Sequence, residues 1–170
     1  MRRTVPVLLV VSVSVLGAMG TLLTLTTPPA GAVAKGFNSC SVVTQAQAAK
    51  ALGSSVTPGV LGNATVEGGL ACVFYGPKAL SPRTPNVAQP DSVRVVVVKG
   101  SDALKWYNDY KSKVPAKAIA GYGNEAFYDG YASLSVLKGD FYLRIAVIPA
   151  SAAPPLPAEE QLATAVLPKL

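Results

Sequence analysis

The chain has 170 residues, 50% of them hydrophobic and 14% charged, with a formal net charge of +6 and no histidine. That length and apolar content bound it to one domain, large enough to bury a core of its own. The absence of histidine removes the commonest general base, the commonest zinc ligand, and the Ser-His and Cys-His nucleophile pairs.

Arg2 and Arg3 precede an uncharged stretch from Val5 to Leu25, and small residues then give two A-x-A sites, Ala30-Gly31-Ala32 and Ala32-Val33-Ala34. This is the pattern of a secretory signal peptide, expected over 1–32 with cleavage after Ala32 or after Ala34. The apolar stretch is long for such a signal and long enough to cross a bilayer, so a retained anchor at 5–25 is the alternative. Either way the remainder is expected outside the cytoplasm, because the positive end stays inside. A short linker is expected over 33–39 and a single domain over 40–170. The exported part stays mildly basic without any run of basic residues, which suits scattered solvated lysines better than a nucleic-acid surface.

Cys40 and Cys72 are the two cysteines of the chain. In an oxidising compartment an even pair reads as a disulfide. It would close a loop of about 33 residues and add about 3–4 kcal/mol on the chain-entropy account. The rival readings are a lipid-modified Cys40 and a reactive thiol. Phe37-Asn38-Ser39 lack the aliphatic and small residues that a lipid site needs in front of Cys40. Just behind it, Thr44 with Gln47 matches a capping box, and Gly53 supplies the left-handed residue that ends helices. The spacing predicts a helix over 45–52. It is too short to stand alone, so its side bearing Ala46, Ala49 and Leu52 must dock, with the disulfide tying its start to a strand.

Val56 to Val60 then reads as a weak strand and Leu70 to Tyr75 as a stronger one. The stretch GPKALSPRTPNVAQPDS holds four prolines, which block both ladders and helices. It predicts a loop over 76–92, either functional or merely connecting. SVRVVVVKG, 92–100, predicts a central strand covered on both faces. Ser101 is expected to cap a helix from Asp102 to about Val114, with Ala103, Tyr107, Tyr110 and Val114 at helical spacing and Pro115 stopping it. Trp106 lies beside that stripe, where core packing is the plainer reading and ligand contact the sharper one. Glu125 to Asp129, Tyr131 to Leu137 and Phe141 to Ile148 read as strands, the last two joined by a two-residue turn at Gly139-Asp140. Phe141, Leu143, Ile145 and Val147 share one face, which must face the core. Pro157 opens a last helix with Glu159 and Glu160 in its first turn, Leu162 and Val166 inward, and Pro168 at its end. The expected class is α+β: an antiparallel sheet of about five or six strands with two or three helices on one side and one disulfide.

Catalytic constellations are sparse. Gly121-Tyr122-Gly123-Asn124 lacks the strand-to-helix context of a phosphate cradle and reads as a tight approach to the strand at Ala126. Glu125 and Asp129 would stand about 13 Å apart on one strand face, at about 3.3 Å per residue, beyond the roughly 5–9.5 Å of a glycosidase pair. Asp140 falls in a turn, where Asp serves the backbone. There is no calcium-loop spacing, G-x-S-x-G, S-x-x-K or P-loop. Asn63-Ala64-Thr65 is a glycosylation sequon, meaningful only where a secretory system reads it.

Cys40 before VVTQAQAAKALG, Cys72 followed by Phe74 and Tyr75, GYGNEAF, and the paired YASLSVLKGDFYLRIAV with a terminal helix resemble a broad class of small exported actinobacterial envelope proteins, secreted or lipid-anchored and mostly of unknown function. The resemblance covers about 40–170. It implies a disulfide-stapled extracytoplasmic domain, supplies no catalytic residues, and favours a non-enzymatic role. The expected function is a non-catalytic binding or interaction domain that takes a small ligand, a wall polymer or an envelope protein. No cofactor, metal or nucleic acid is expected, and membrane contact only through the N-terminal segment. The candidate binding residues are Lys78 and Arg83 on the Pro-rich loop and Tyr122 and Tyr128, read as exposed aromatics. The alternatives are an envelope hydrolase without histidine, built from Ser/Lys or paired carboxylates, and a purely structural envelope component.

Overall fold

A computed structural model describes residues 36–170. The export segment expected over 1–32 and the first residues of the linker lie outside the described residues. In chain order the elements are α1 (Gln45–Leu52), β1 (Val60–Ala64), β2 (Gly69–Tyr75), β3 (Ser92–Lys99), α2 (Asp102–Lys111), β4 (Lys117–Ala118), β5 (Glu125–Tyr128), β6 (Leu134–Lys138), β7 (Phe141–Ile148) and α3 (Leu156–Val166). The strands form one antiparallel sheet in the order β1-β2-β3-β7-β6-β5-β4. The α+β class and the disulfide hold. The strand number is seven, larger than expected, because the 117–118 pair adds an edge that no periodicity announces. No helix among the described residues is long and apolar enough to cross a membrane.

The helices do not share one side. Val93, Val95 and Val97 of β3 pack with Leu143, Ile145 and Val147 of β7 against α1 and α3, through Ala48, Leu52, Leu162, Ala163 and Val166. On the opposite face Val96, Val98 and Tyr142 pack against Ala103, Tyr107 and Tyr110 of α2. The cause lies in the β3 sequence. A strand apolar at successive positions presents apolar side chains to both faces, so each face must be covered, and α2 takes the second one. The unit α1-β1-β2-β3 and the unit α2-β5-β6-β7 are therefore not equivalent. A two-fold axis relating antiparallel β3 and β7 would stand perpendicular to the sheet and leave matching helices on the same face.

Several boundaries follow local chemistry. The capping box at Thr44 and Gln47 forms as expected, and Gly53 closes α1 at φ 73°. Ser101, by contrast, makes no side-chain cap, and α2 stops at Lys111, three residues short of Val114. The weak strand lies at Val60–Ala64, not Val56–Val60, in register with β2 through Val60↔Val73 and Ala64↔Gly69. The strand expected to start at Tyr131 starts at Leu134, because 129–133 are consumed in a turn around the Asp129 carboxylate. Trp106 is a packing residue: its indole lies over Gly68, where a Cβ would come within 2.0 Å of the ring. Gly68 also sits at φ 73°, so the β1–β2 turn requires glycine for both reasons.

The leading segment is fastened to the sheet at more points than the disulfide alone. Cys40 is bonded to Cys72 in the middle of β2. Beside it the buried Ser39 hydroxyl donates to Leu70 O at 2.5 Å and accepts from Val97 N at 2.9 Å. Lys169 Nζ donates to Val42 O at 2.6 Å, bringing the C-terminus to the same place. Replacing Cys40 and Cys72 together by alanine is expected to lower the unfolding free energy by about 3–4 kcal/mol. The urea midpoint of the double variant reads this, and a midpoint equal to that of the parent would remove the staple from the stability account.

Candidate functional site

The second face of the sheet carries charge where its sequence reads as almost continuously apolar. Arg94 sits in β3 and Arg144 in β7. The register pairs Arg94 with Ala146 and Val96 with Arg144, so the two arginines are diagonal neighbours on one face. Both meet Glu67, which lies in the β1–β2 turn with its side chain folded inward and 1% exposed. Arg94 grips it with two bonds, Nη1 to Oε1 at 2.6 Å and Nη2 to Oε2 at 2.9 Å. Arg144 Nη1 donates to the same Oε1 at 2.8 Å. The bidentate fork is the strongest geometry a guanidinium offers a carboxylate.

From this centre the network runs both ways. Arg94 Nε donates to Pro85 O at 2.8 Å and Nη2 to Asn86 O at 3.1 Å, so the Pro-rich loop is pinned to the sheet. Asn86 Oδ1 also accepts from Thr65 N and Thr65 Oγ1, both at 2.9 Å. The loop's ends are pinched by Gly76 N donating to Asp91 O at 2.8 Å. These features make residues 76–91 a packed Ω-loop. On the other side Arg144 Nε donates to Ser133 Oγ at 3.0 Å and Nη2 to Tyr110 OH at 2.6 Å, with its guanidinium carbon 3.7 Å from the Tyr110 ring centre. Tyr110 OH donates in turn to Asp129 Oδ2 at 2.7 Å.

The electrostatics follow from those contacts. Burial pushes the Tyr110 hydroxyl up to about 12, against the opposing pull of Arg144, so it stays a donor. Burial alone would raise Asp129, but bonds from Ser133, Tyr110 and the backbone N–H groups of Tyr131 and Ser133 hold it below its ordinary value. Two guanidinium cations thus face two carboxylates, of which Asp129 is held ionised. Of the network's charged groups Arg144 is the most open, 14% exposed against 1–4% for Glu67, Arg94 and Asp129, at the floor of a concavity of about 190 Å³ lined by Val66, Glu67, Asn86, Val87, Ala88, Arg94, Tyr110 and Arg144. Val66 and Val87 form an exposed apolar rim.

The residues named from sequence are not assembled into one site. Lys78 and Arg83 lie at the Ω-loop, lining two further concavities of about 220 Å³ each that share Pro77. Arg83 stands over the Tyr75 ring at 5.4 Å. Tyr128 is half-buried at the end of β5 and donates to Tyr131 O at 2.8 Å. It lies three strands further across the sheet from β3. Tyr122 is half-buried too and packs on the α1–α3 face, so neither tyrosine is the exposed aromatic that was expected. Glu125 and Asp129 part company as well: Glu125 pairs with Lys111 at the surface, whereas Asp129 is buried.

Glu67, Arg94 and Arg144 are not singled out by the sequence, and Tyr110 reads there only as part of the helical stripe of α2. The usable signal was an arginine inside each of two apolar strands, SVRVVVVK and FYLRIAVI, since a buried charge requires a partner. No protein-family model, curated protein or solved structure matches the chain.

Two outcomes test this electrostatic account. Glu67→Gln strips the charge shared by two arginines and is expected to cost about 3–5 kcal/mol of stability. A double-mutant cycle with Arg94→Met should then recover part of that loss, and strictly additive costs would mean that the pair is not coupled. Independently, Glu159 of α3 is fully buried, with Oε1 accepting from Val147 N at 3.1 Å and Oε2 without a protein partner. Burial, with a smaller contribution from Asp129, raises its carboxyl from 4.5 to about 8. A raised folded-state value means stability that is complete below pH 4.5 and is lost as pH rises through about 8. The parent should lose up to about 1.4 kcal/mol per pH unit across that window. Glu159→Gln should flatten that slope, as read by urea unfolding at stepped pH.

Proposed function

We propose that the chain is a non-catalytic extracytoplasmic binding domain whose ligand sits in the concavity between the Ω-loop and the β1–β2 turn. The observation that carries the reading is Arg144: one charged group of a buried network reaches solvent, inside a concavity with an apolar rim. Ligand sites characteristically combine an apolar lining with a few fixed polar groups, and the fixing here comes from Glu67, Ser133 and Tyr110. The Cys40–Cys72 disulfide favours an oxidising environment, which fits export by an N-terminal signal. Lys78 and Arg83 lie on the same loop but line two other concavities.

A hydrolase built from carboxylates has less support. Glu125 is tied to Lys111 in an exposed pair. Asp129 accepts five hydrogen bonds, from Tyr110, Ser133 Oγ and the N–H groups of residues 131–133. It has little capacity left to act as a base.

Butyramide, a neutral probe of matching size, tests the location. In amide-resolved NMR of the disulfide-bonded protein it should shift resonances of residues 66–67, 86–88, 110 and 144. Ala88→Trp, which fills the concavity from the loop side, should abolish those shifts. Shifts that scatter over the surface, or that persist in the filled variant, would overturn the site.

A further inference from the structure

The side chains that line the concavity are unequal in what they have left to offer. Every side-chain acceptor there is already engaged. Glu67 Oε1 takes bonds from Arg94 and Arg144, and Oε2 takes one from Arg94. Asn86 Oδ1 takes two from Thr65. Tyr110 OH accepts from Arg144 and donates to Asp129. The donors are not exhausted. A guanidinium carries five N–H groups, and the protein contacts of Arg144 use one each at Nε, Nη1 and Nη2. Its approach to Asp129 is 3.7 Å, beyond hydrogen-bond length. Two N–H groups of Arg144 and the amide N–H₂ of Asn86 therefore have no acceptor among the described residues. One face of the guanidinium is covered by Tyr110, which fixes the plane in which those donors lie.

A lining with spare donors, spent acceptors and an apolar rim selects a particular chemistry. Resting on the binding-domain reading above, we infer that the concavity takes a small organic carboxylate, its oxygens on Arg144 and Asn86 and its short apolar body against Val66, Val87 and Ala88. At about 30 Å³ per water-sized volume, about 190 Å³ holds a carboxylate and a short alkyl chain. Inorganic phosphate offers the same oxyanion but nothing for the valine rim to cover. The cluster beneath is charge-balanced, so the ligand is held by oriented donors and not drawn by net charge, and affinity for a short acid belongs in the millimolar range.

Calorimetric titration of the disulfide-bonded protein with butyrate, butyramide and phosphate tests this. Butyrate is expected to bind about fivefold more tightly than butyramide, the difference between a charge-assisted and a neutral hydrogen bond, and more tightly than phosphate. Val87 is exposed on the rim, so Val87→Lys and Val87→Glu fold like the parent while placing opposite charges at the mouth. Both variants lose the same Val87 contact and should weaken butyramide equally, whereas the ratio of butyrate to butyramide affinity should rise with Val87→Lys and fall with Val87→Glu, each by about two- to fivefold. Arg144→Lys keeps the charge but loses the planar fork, and should weaken butyrate about tenfold. Butyramide binding as tightly as butyrate would overturn the carboxylate inference and leave the site standing. Phosphate matching butyrate would overturn the role of the apolar rim. If none of the three binds, the inference and the site reading fall together.

Discussion

The second face of this sheet is organised by one carboxylate. A glutamate in a hairpin turn ordinarily points into water, but Glu67 turns inward and is shared by Arg94 of β3 and Arg144 of β7. Taking such charges out of water costs several kcal/mol per ion, on the order of what a good pairing returns, so the arrangement stands only while every member is satisfied. Through Arg94 the carboxylate governs the position of the Ω-loop, and through Arg144 that of Ser133, Tyr110 and the last turn of α2. Five segments distant in sequence thus meet on one anion.

A length mismatch explains why charge stands there at all. α2 has ten residues and spans about 15 Å at 1.5 Å per residue. β3 and β7 have eight each and span about 26 Å at about 3.3 Å per residue. The helix leaves roughly two-fifths of the face bare, and the Ω-loop covers it. An irregular loop laid on a sheet brings backbone carbonyls with it, and those need donors. Proline lacks an N–H of its own, so a loop holding four prolines is poorly able to satisfy its own carbonyls. Arg94 supplies the missing donors to Pro85 O and Asn86 O, and Glu67 neutralises the arginine that does so.

Sequence and structure agree best where the chemistry is local. The capping box at Thr44 and Gln47, the two-residue turn at Gly139-Asp140 and the valine-rich strand each declare themselves within a few residues, and the cysteine pairing follows from there being two cysteines in the chain. They part where the determinant is non-local. Whether α2 joins α1 and α3 or takes the other face depends on both faces of β3 being apolar, which the run of valines states but the helix sequences do not. Glu67, in the stretch TVEGG, carries the signature of an exposed turn, and only the arginines two and six strands later in the chain betray it. Asn86, Val87 and Ala88 of the Pro-rich loop line the concavity. The exposed Lys78 and Arg83 drew attention there, whereas Arg94 and Arg144, hidden among valines and aromatics, form the floor.

Charge balance in the cluster does not imply balance in hydrogen bonding. Two guanidiniums bring ten N–H groups, far more than two carboxylates can absorb when Asp129 is already committed to Tyr110, Ser133 and the backbone of its own turn. Arg94, 3% exposed, disposes of its share on Glu67 and on loop carbonyls. Arg144, 14% exposed, has two N–H groups without an acceptor among the described residues and lines the concavity. The α1–α3 face shows the opposite economy: there a buried carboxyl, Glu159, is held near neutral by burial and has an oxygen with no donor. Surplus donors at an opening attract an anionic guest, whereas an orphan acceptor sealed in a core only lowers stability. That asymmetry is the reason the proposed binding is assigned to the face that the Ω-loop covers.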